Sequence, residues 1–149
     1  ASVGLEPHAG IVSVMLHTYI DNDLQRAKNK ARGPLKGYLE DYIRQYDVMV
    51  DENLQKDVLA NKDALLDFAF ERYFEQAALL GPQRKCGALL DKLGAIGVDE
   101  IACLIDFGIE PDDVLSSLAL LAELSRERAL RAARPTARCA NAEEAAATD

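Results

Sequence analysis

Apolar and polar positions along the chain sort into two kinds of run. The first is Ile11-Val-Ser-Val-Met-Leu-His-Thr-Tyr-Ile20, rich in β-branched residues and apolar at nearly every position. That pattern predicts a strand buried on both faces. With a period of two, Val12, Val14, Leu16 and Thr18 share one face, and Ser13, Met15, His17 and Tyr19 share the other. A second such run, Glu100-Ile-Ala-Cys-Leu-Ile-Asp106, stays apolar until its last residue, and Gly108 allows a sharp turn after it.

Elsewhere the apolar positions fall at helical spacing. Asp21, Asn22 and Asp23 offer capping side chains for a helical stretch to about Lys30, which Gly33 and Pro34 interrupt. Leu39, Ile43 and Tyr46 continue at spacings of four and three, but residues 47–60 are weakly periodic, so 33–60 reads as irregular helices with loops. Asn61 is a candidate N-cap for a helix whose apolar face holds Leu65, Leu66, Ala69, Phe70, Tyr73, Phe74 and Ala77, ended by Gly81 and Pro82. The helical spacing of Phe70, Tyr73 and Phe74 is explained by core packing. Cys86, Leu89, Leu90, Leu93 and Ile96 form the stripe of a next helix that Gly97 terminates. Pro111, Asp112 and Asp113 suit the first turn of a last helix, with Val114, Leu115, Leu118, Leu121 and Leu124 facing inward. Beyond Arg126 the composition turns to Arg and Ala, a fraying helix and then a disordered tail over 126–149.

Two doubly buried strands separated by far more than a hairpin predict a helix-rich α/β fold with parallel strands in βαβα order. Two strands cannot close a barrel or cover their own faces, so further strands or layers are expected. The first ten residues, with Pro7 and two glycines, read as a connecting loop.

Composition narrows the function classes. The chain has 149 residues, 49% of them apolar, and a net charge of −8. An acidic balance argues against nucleic acid or an anionic membrane as partner, since both select for clustered Lys and Arg. The arginines from Arg126 to Arg138 alternate with alanine and read as a solvated helix end. No apolar run approaches the roughly 20 residues of a bilayer span, and no basic-then-apolar leader opens the chain, so a cytoplasmic location is expected. Cys86, Cys103 and Cys139 form no CxxC pair, and with only His8 and His17 present no metal-ligand spacing or nucleophile triad emerges.

Three segments carry a family resemblance: Val14-Met-Leu-His-Thr-Tyr19, Phe70-Glu-Arg-Tyr-Phe74 and the twelve-residue run Gly97-Val-Asp-Glu-Ile-Ala-Cys-Leu-Ile-Asp-Phe-Gly108. In order and spacing they resemble the C-terminal portion of luciferase-like flavin monooxygenases of natural-product assembly lines, over about residues 5–124. The resemblance implies a single region, 1–125, belonging to a (β/α)8 TIM barrel, incomplete as a barrel on its own, with Ile11–Ile20 and Glu100–Asp106 as its seventh and eighth strands. It implies reduced FMN as cofactor, O2 as oxidant and an organic small molecule as substrate. Barrel active sites lie at the C-terminal ends of the strands. His17 is then the catalytic candidate, Thr18 and Asp106 are candidate flavin contacts, and residues 33–60 correspond to the lid-like region over the flavin pocket. Family members hold the flavin phosphate with earlier strands, so the remainder of the barrel, or a second copy, is the expected partner. His17 is also explained as a hydrogen-bonded core histidine, and Asp106 as the cap of the turn before Gly108. The alternative to an oxidoreductase part is a non-catalytic, truncated α/β module that acts in protein–protein interaction.

Overall fold

The computed structural model of the chain describes residues 10–46 and 61–133. Strand β1 is Ser13–Ile20. It leads into α1, Leu24–Tyr46, whose first turn is capped by Asp23: its Oδ1 accepts the backbone amides of Gln25 at 2.9 Å and Arg26 at 3.0 Å. Helix α2 is Lys62–Gln76, with Asn61 at its N-cap position. A three-residue strand, β2 (Leu79–Gly81), precedes α3 (Gln83–Ala95), and β3 (Glu100–Leu104) precedes α4 (Pro111–Ala132).

All strand pairs are parallel, in the order β2-β1-β3. The register runs from Ser13↔Glu100 to His17↔Leu104 on one side of β1 and from Thr18↔Leu79 to Ile20↔Gly81 on the other. The sheet separates two cores. On one face Tyr19 and Leu80 pack with Ala27, Ala31 and Leu35 of α1 and with Phe70 and Phe74 of α2. On the other, Leu16, Ile20 and Leu79 pack with Cys86 of α3 and Leu124 of α4. The chain therefore crosses from β1 to β2 over one face and returns from β2 to β3 over the opposite face. Reversing both direction and face keeps the two crossovers of one hand, as parallel connections require.

Ionic contacts fasten α1 to α2. Arg32 bridges Asp67 at 3.0 Å and Glu71 at 2.5 Å, Lys36 reaches Asp67 at 3.0 Å, and the Arg32 guanidinium lies 4.7 Å from the Phe70 ring centre.

Four expectations are corrected. Gly33 and Pro34 do not interrupt α1, which runs through both, so 33–46 is helix and not loop; 47–60 lies outside the described residues. An interior proline costs about 3 kcal/mol. Here Ala31 and Leu35 are fully buried on either side and clamp the helix across it. Gly108, at φ +95°, brings the β3–α4 loop so close to Pro34 that a Cβ would lie 3.3 Å from the Pro34 Cβ. Helix α2 stops at Gln76 and not at Gly81, because Leu79 and Leu80 pair with the free edge of β1, where the same apolar side chains are fully covered. Neither strand is buried on both faces throughout. Leu16 to Ile20 are buried, but Ile11 is 72% and Met15 63% exposed, and Ala102 and Cys103 of β3 are exposed, since no described helix covers that end of the sheet. Finally, α4 is regular helix through Ala132, held to α3 by Arg128, which bonds the Gly87 carbonyl and Asp91; residues 134–149 lie outside the described residues. Gly97, at φ +90°, ends α3 as expected.

Phe70 is fully buried while Phe68, on the same helix, is 65% exposed. Phe70→Ala is expected to cost about 3–5 kcal/mol of unfolding free energy and Phe68→Ala less than about 0.5 kcal/mol, measured by urea denaturation.

Candidate functional site

His17 sits where the sheet passes from covered to open. Tyr19, two residues on and on the same face, is buried, whereas Met15, two residues back, is exposed. His17 is 6% exposed, and its imidazole is enclosed edge-on by three rings: Tyr38 of α1 at 4.5 Å, Phe107 after β3 at 5.1 Å and Tyr73 of α2 at 5.5 Å between centroids. Its Nδ1 lies 2.9 Å from the Tyr73 hydroxyl, and its Nε2 is buried with no hydrogen-bond partner. Burial holds the His17 pKa below the ordinary imidazole value, so the ring is neutral at pH 7. Burial, helped by the nearby Tyr38 phenol, raises the Tyr73 pKa, so its O–H keeps its proton.

Thr18 and Asp106 do not join His17. Adjacent strand residues point to opposite faces, so Thr18 lies on the α3–α4 side, where its Oγ1 donates to the Leu16 carbonyl at 2.9 Å. Asp106 is exposed in the loop beyond β3, which ends at Leu104.

A second polar group gathers at the C-terminal end of β1. Asp21, 6% exposed, accepts both Arg26 Nε and Nη2 at 2.6 Å and the Asp23 amide at 2.9 Å. The Arg26 hydrogen bonds hold its carboxyl below the usual range against the opposing effect of burial. The Tyr19 hydroxyl points at Asp21 Oδ2 over a long 3.4 Å, and burial, with the Asp113 and Asp21 charges, raises its pKa to about 12. Ser117 of α4 reaches across to accept the Ile20 amide at 2.7 Å. These groups line a cavity of about 270 Å³ between α1 and α4, with Lys30 paired to Asp113 at its margin. In open α/β sheets such a crevice, at the strand C-termini where the connections diverge, is where ligands bind.

Sequence reasoning named His17 but not Tyr38 or Phe107, and it read Asp21 only as a capping residue. The available signals were Asp21 and Arg26 five residues apart across the strand end, and Phe107 following Asp106 just beyond β3.

The described residues do not by themselves fit a flavin. The hydroxyl of Thr18 is spent on its own strand, Thr18 and His17 face opposite layers, and the two cations at the β1 cavity, Arg26 and Lys30, are already paired with carboxylates. A phosphate would find no unpaired charge there. Among the described residues no group of three or more His, Cys, Asp or Glu could hold a metal ion, and no helix is long and apolar enough to cross a membrane. The chain matches none of the protein-family models and none of the curated proteins it was compared with.

Two outcomes follow from this geometry. Ser117→Ala leaves the buried Ile20 amide unpaired and is expected to destabilise by about 1–3 kcal/mol in urea denaturation. For His17 the unfolded state takes up a proton near pH 6.5 and the folded state only lower. Its contribution is therefore fully present above that value and is lost as pH falls below it. Stability measured from pH 7 down to pH 5 should fall less steeply in His17→Gln than in the parent chain.

Proposed function

We propose that this chain is the C-terminal part of a luciferase-like flavin monooxygenase, supplying two neighbouring strands of its (β/α)8 barrel to an enzyme that oxidises an organic substrate with FMN and O2 in natural-product biosynthesis in the cytoplasm. The three sequence segments that resemble the family support it, and the pairing of β1 with β3 carries it. The two strands assigned to positions seven and eight are adjacent, parallel and in register over five residue pairs, Ser13↔Glu100 to His17↔Leu104. Their C-terminal ends share one rim, the side of a barrel on which catalysis takes place. The outer edge of β3 has no described neighbour, which leaves it free for the first strand of a closed barrel. β2 occupies the edge of β1 that a sixth strand would need, so closing the barrel requires β2 to give up that pairing. Exposed Ile11, Val12 and Met15 at the uncovered end fit the same account, because a barrel strand is covered on both faces.

In this reading the flavin phosphate is held by strands that this chain does not supply. FMN, when bound, provides the oxygen chemistry. The residues here contribute shielding and a proton-bearing side chain: His17 within its ring of Tyr38, Tyr73 and Phe107.

A second reading, a non-catalytic α/β module that binds a protein partner, is favoured by one observation. The order β2-β1-β3, with its two cores on opposite faces, is that of a doubly wound sheet, which covers the C-terminal half of β1 without further strands.

Flavin fluorescence separates the two. The chain alone is expected to give no saturable quenching of FMN. Coexpressed with the first six β/α units of a luciferase-like monooxygenase, it should copurify and bind one flavin per complex. Failure to form the complex, from a chain shown by circular dichroism to be folded, would leave the module reading.

A further inference from the structure

The unpartnered Nε2 of His17 is the one buried side-chain polar atom among the described residues without a hydrogen-bond partner. Such atoms are rare, and an unmet buried donor costs about 1–3 kcal/mol. Which proton it carries is decided on the other side of the ring. The 2.9 Å contact between Nδ1 and the Tyr73 hydroxyl fits either tautomer, and the pairing of a phenol O–H with an unprotonated imidazole nitrogen is the stronger of the two, which favours Tyr73 O–H donating to Nδ1. A neutral imidazole that accepts at Nδ1 carries its hydrogen at Nε2.

We propose that Tyr73 is a positioning residue that fixes His17 as the Nε2–H tautomer, and that this N–H is the donor for a carbonyl or carboxylate oxygen of a planar ligand admitted past Tyr38. The ligand half rests on the reading of His17 as a site residue; the tautomer half does not. Tyr38 is the ring best placed to yield. It is 39% exposed, whereas Phe107 is buried at 6% and Tyr73 is tied to His17 by its hydroxyl. Tyr73 and Phe107, which stay in place, and Met15 beside the imidazole on the open sheet face select an aromatic ligand body, and Nε2–H selects its oxygen. The titratable groups facing the ring are Tyr38 and Tyr73, and the strand neighbour of His17 on β3 is Leu104.

The test is nitrogen-15 NMR of the imidazole in the full chain carrying His8→Gln, which leaves His17 as the single histidine. At pH 7.5 the expected spectrum has a protonated Nε2 and an unprotonated Nδ1, and Tyr73→Phe should shift both resonances toward the average of a tautomer mixture. A protonated Nδ1 in the parent overturns the positioning role, and that result stands even if Tyr73→Phe fails to fold. Benzamide serves as the probe of the ligand half. Saturable movement of the Nε2 resonance, strengthened about tenfold or more in Tyr38→Ala, supports it (tenfold being about 1.4 kcal/mol). An Nε2–H tautomer that benzamide leaves unmoved in both the parent and Tyr38→Ala overturns the ligand half and returns His17 to the core, with the role of Tyr73 intact.

Discussion

Strand β1 pairs through its backbone on both edges, and its side chains are claimed by a different helical layer on each face. A parallel strand of this kind is covered above and below, because the crossover connections lay helices on both faces of the sheet. Leu16 and Ile20 go to α3 and α4, while Tyr19 goes to α1 and α2. Neither layer touches the sheet except through this strand and its two short neighbours. Ordering of β1 therefore brings both cores into being together, and β2 and β3 are held mainly by pairing with it.

The same constraint decides where polar chemistry collects. Within the strand Thr18 donates to the carbonyl of Leu16, whereas His17 has one nitrogen on Tyr73 and the other on nothing. At the strand end the backbone leaves the sheet, and its amides need acceptors. Ser117 takes that of Ile20 and Asp21 that of Asp23, and Asp21 in turn is balanced by Arg26. The cluster at the end of β1 thus has a structural origin, and a cavity comes with it because α1 and α4 diverge from opposite faces at that point.

Covering is uneven along the sheet. The layers meet the C-terminal half of β1 and leave its N-terminal half, with most of β3, in the open. Aliphatic and thioether side chains at Ile11, Val12 and Met15 are of the kind that protein interiors take up, and their exposure lies on the same end as the free edge of β3. His17 stands on the boundary between the two regimes, enclosed by rings toward α1 and α2 and next to open sheet toward Met15.

Period-two and helical patterns in the sequence were sufficient for β1, β3, α2, α3 and α4, for parallel strands and for the core roles of Phe70 and Phe74. These are local or one-sided properties: a β-branched apolar run, a stripe of Leu at three and four, a glycine past a helix end. They could not reveal β2, because Leu79 and Leu80 suit a helix end as well as a strand, and only the vacant edge of β1 makes the strand the better burial. They misjudged Pro34, because the cost of an interior proline is local while the packing of Ala31, Leu35 and Gly108 that offsets it is not. His17 was legible as a candidate from its apolar strand. Its partners Tyr38, Tyr73 and Phe107 come from two helices and a loop separated by dozens of residues, and no spacing in a single sequence encodes a contact that exists only when these segments close on one ring.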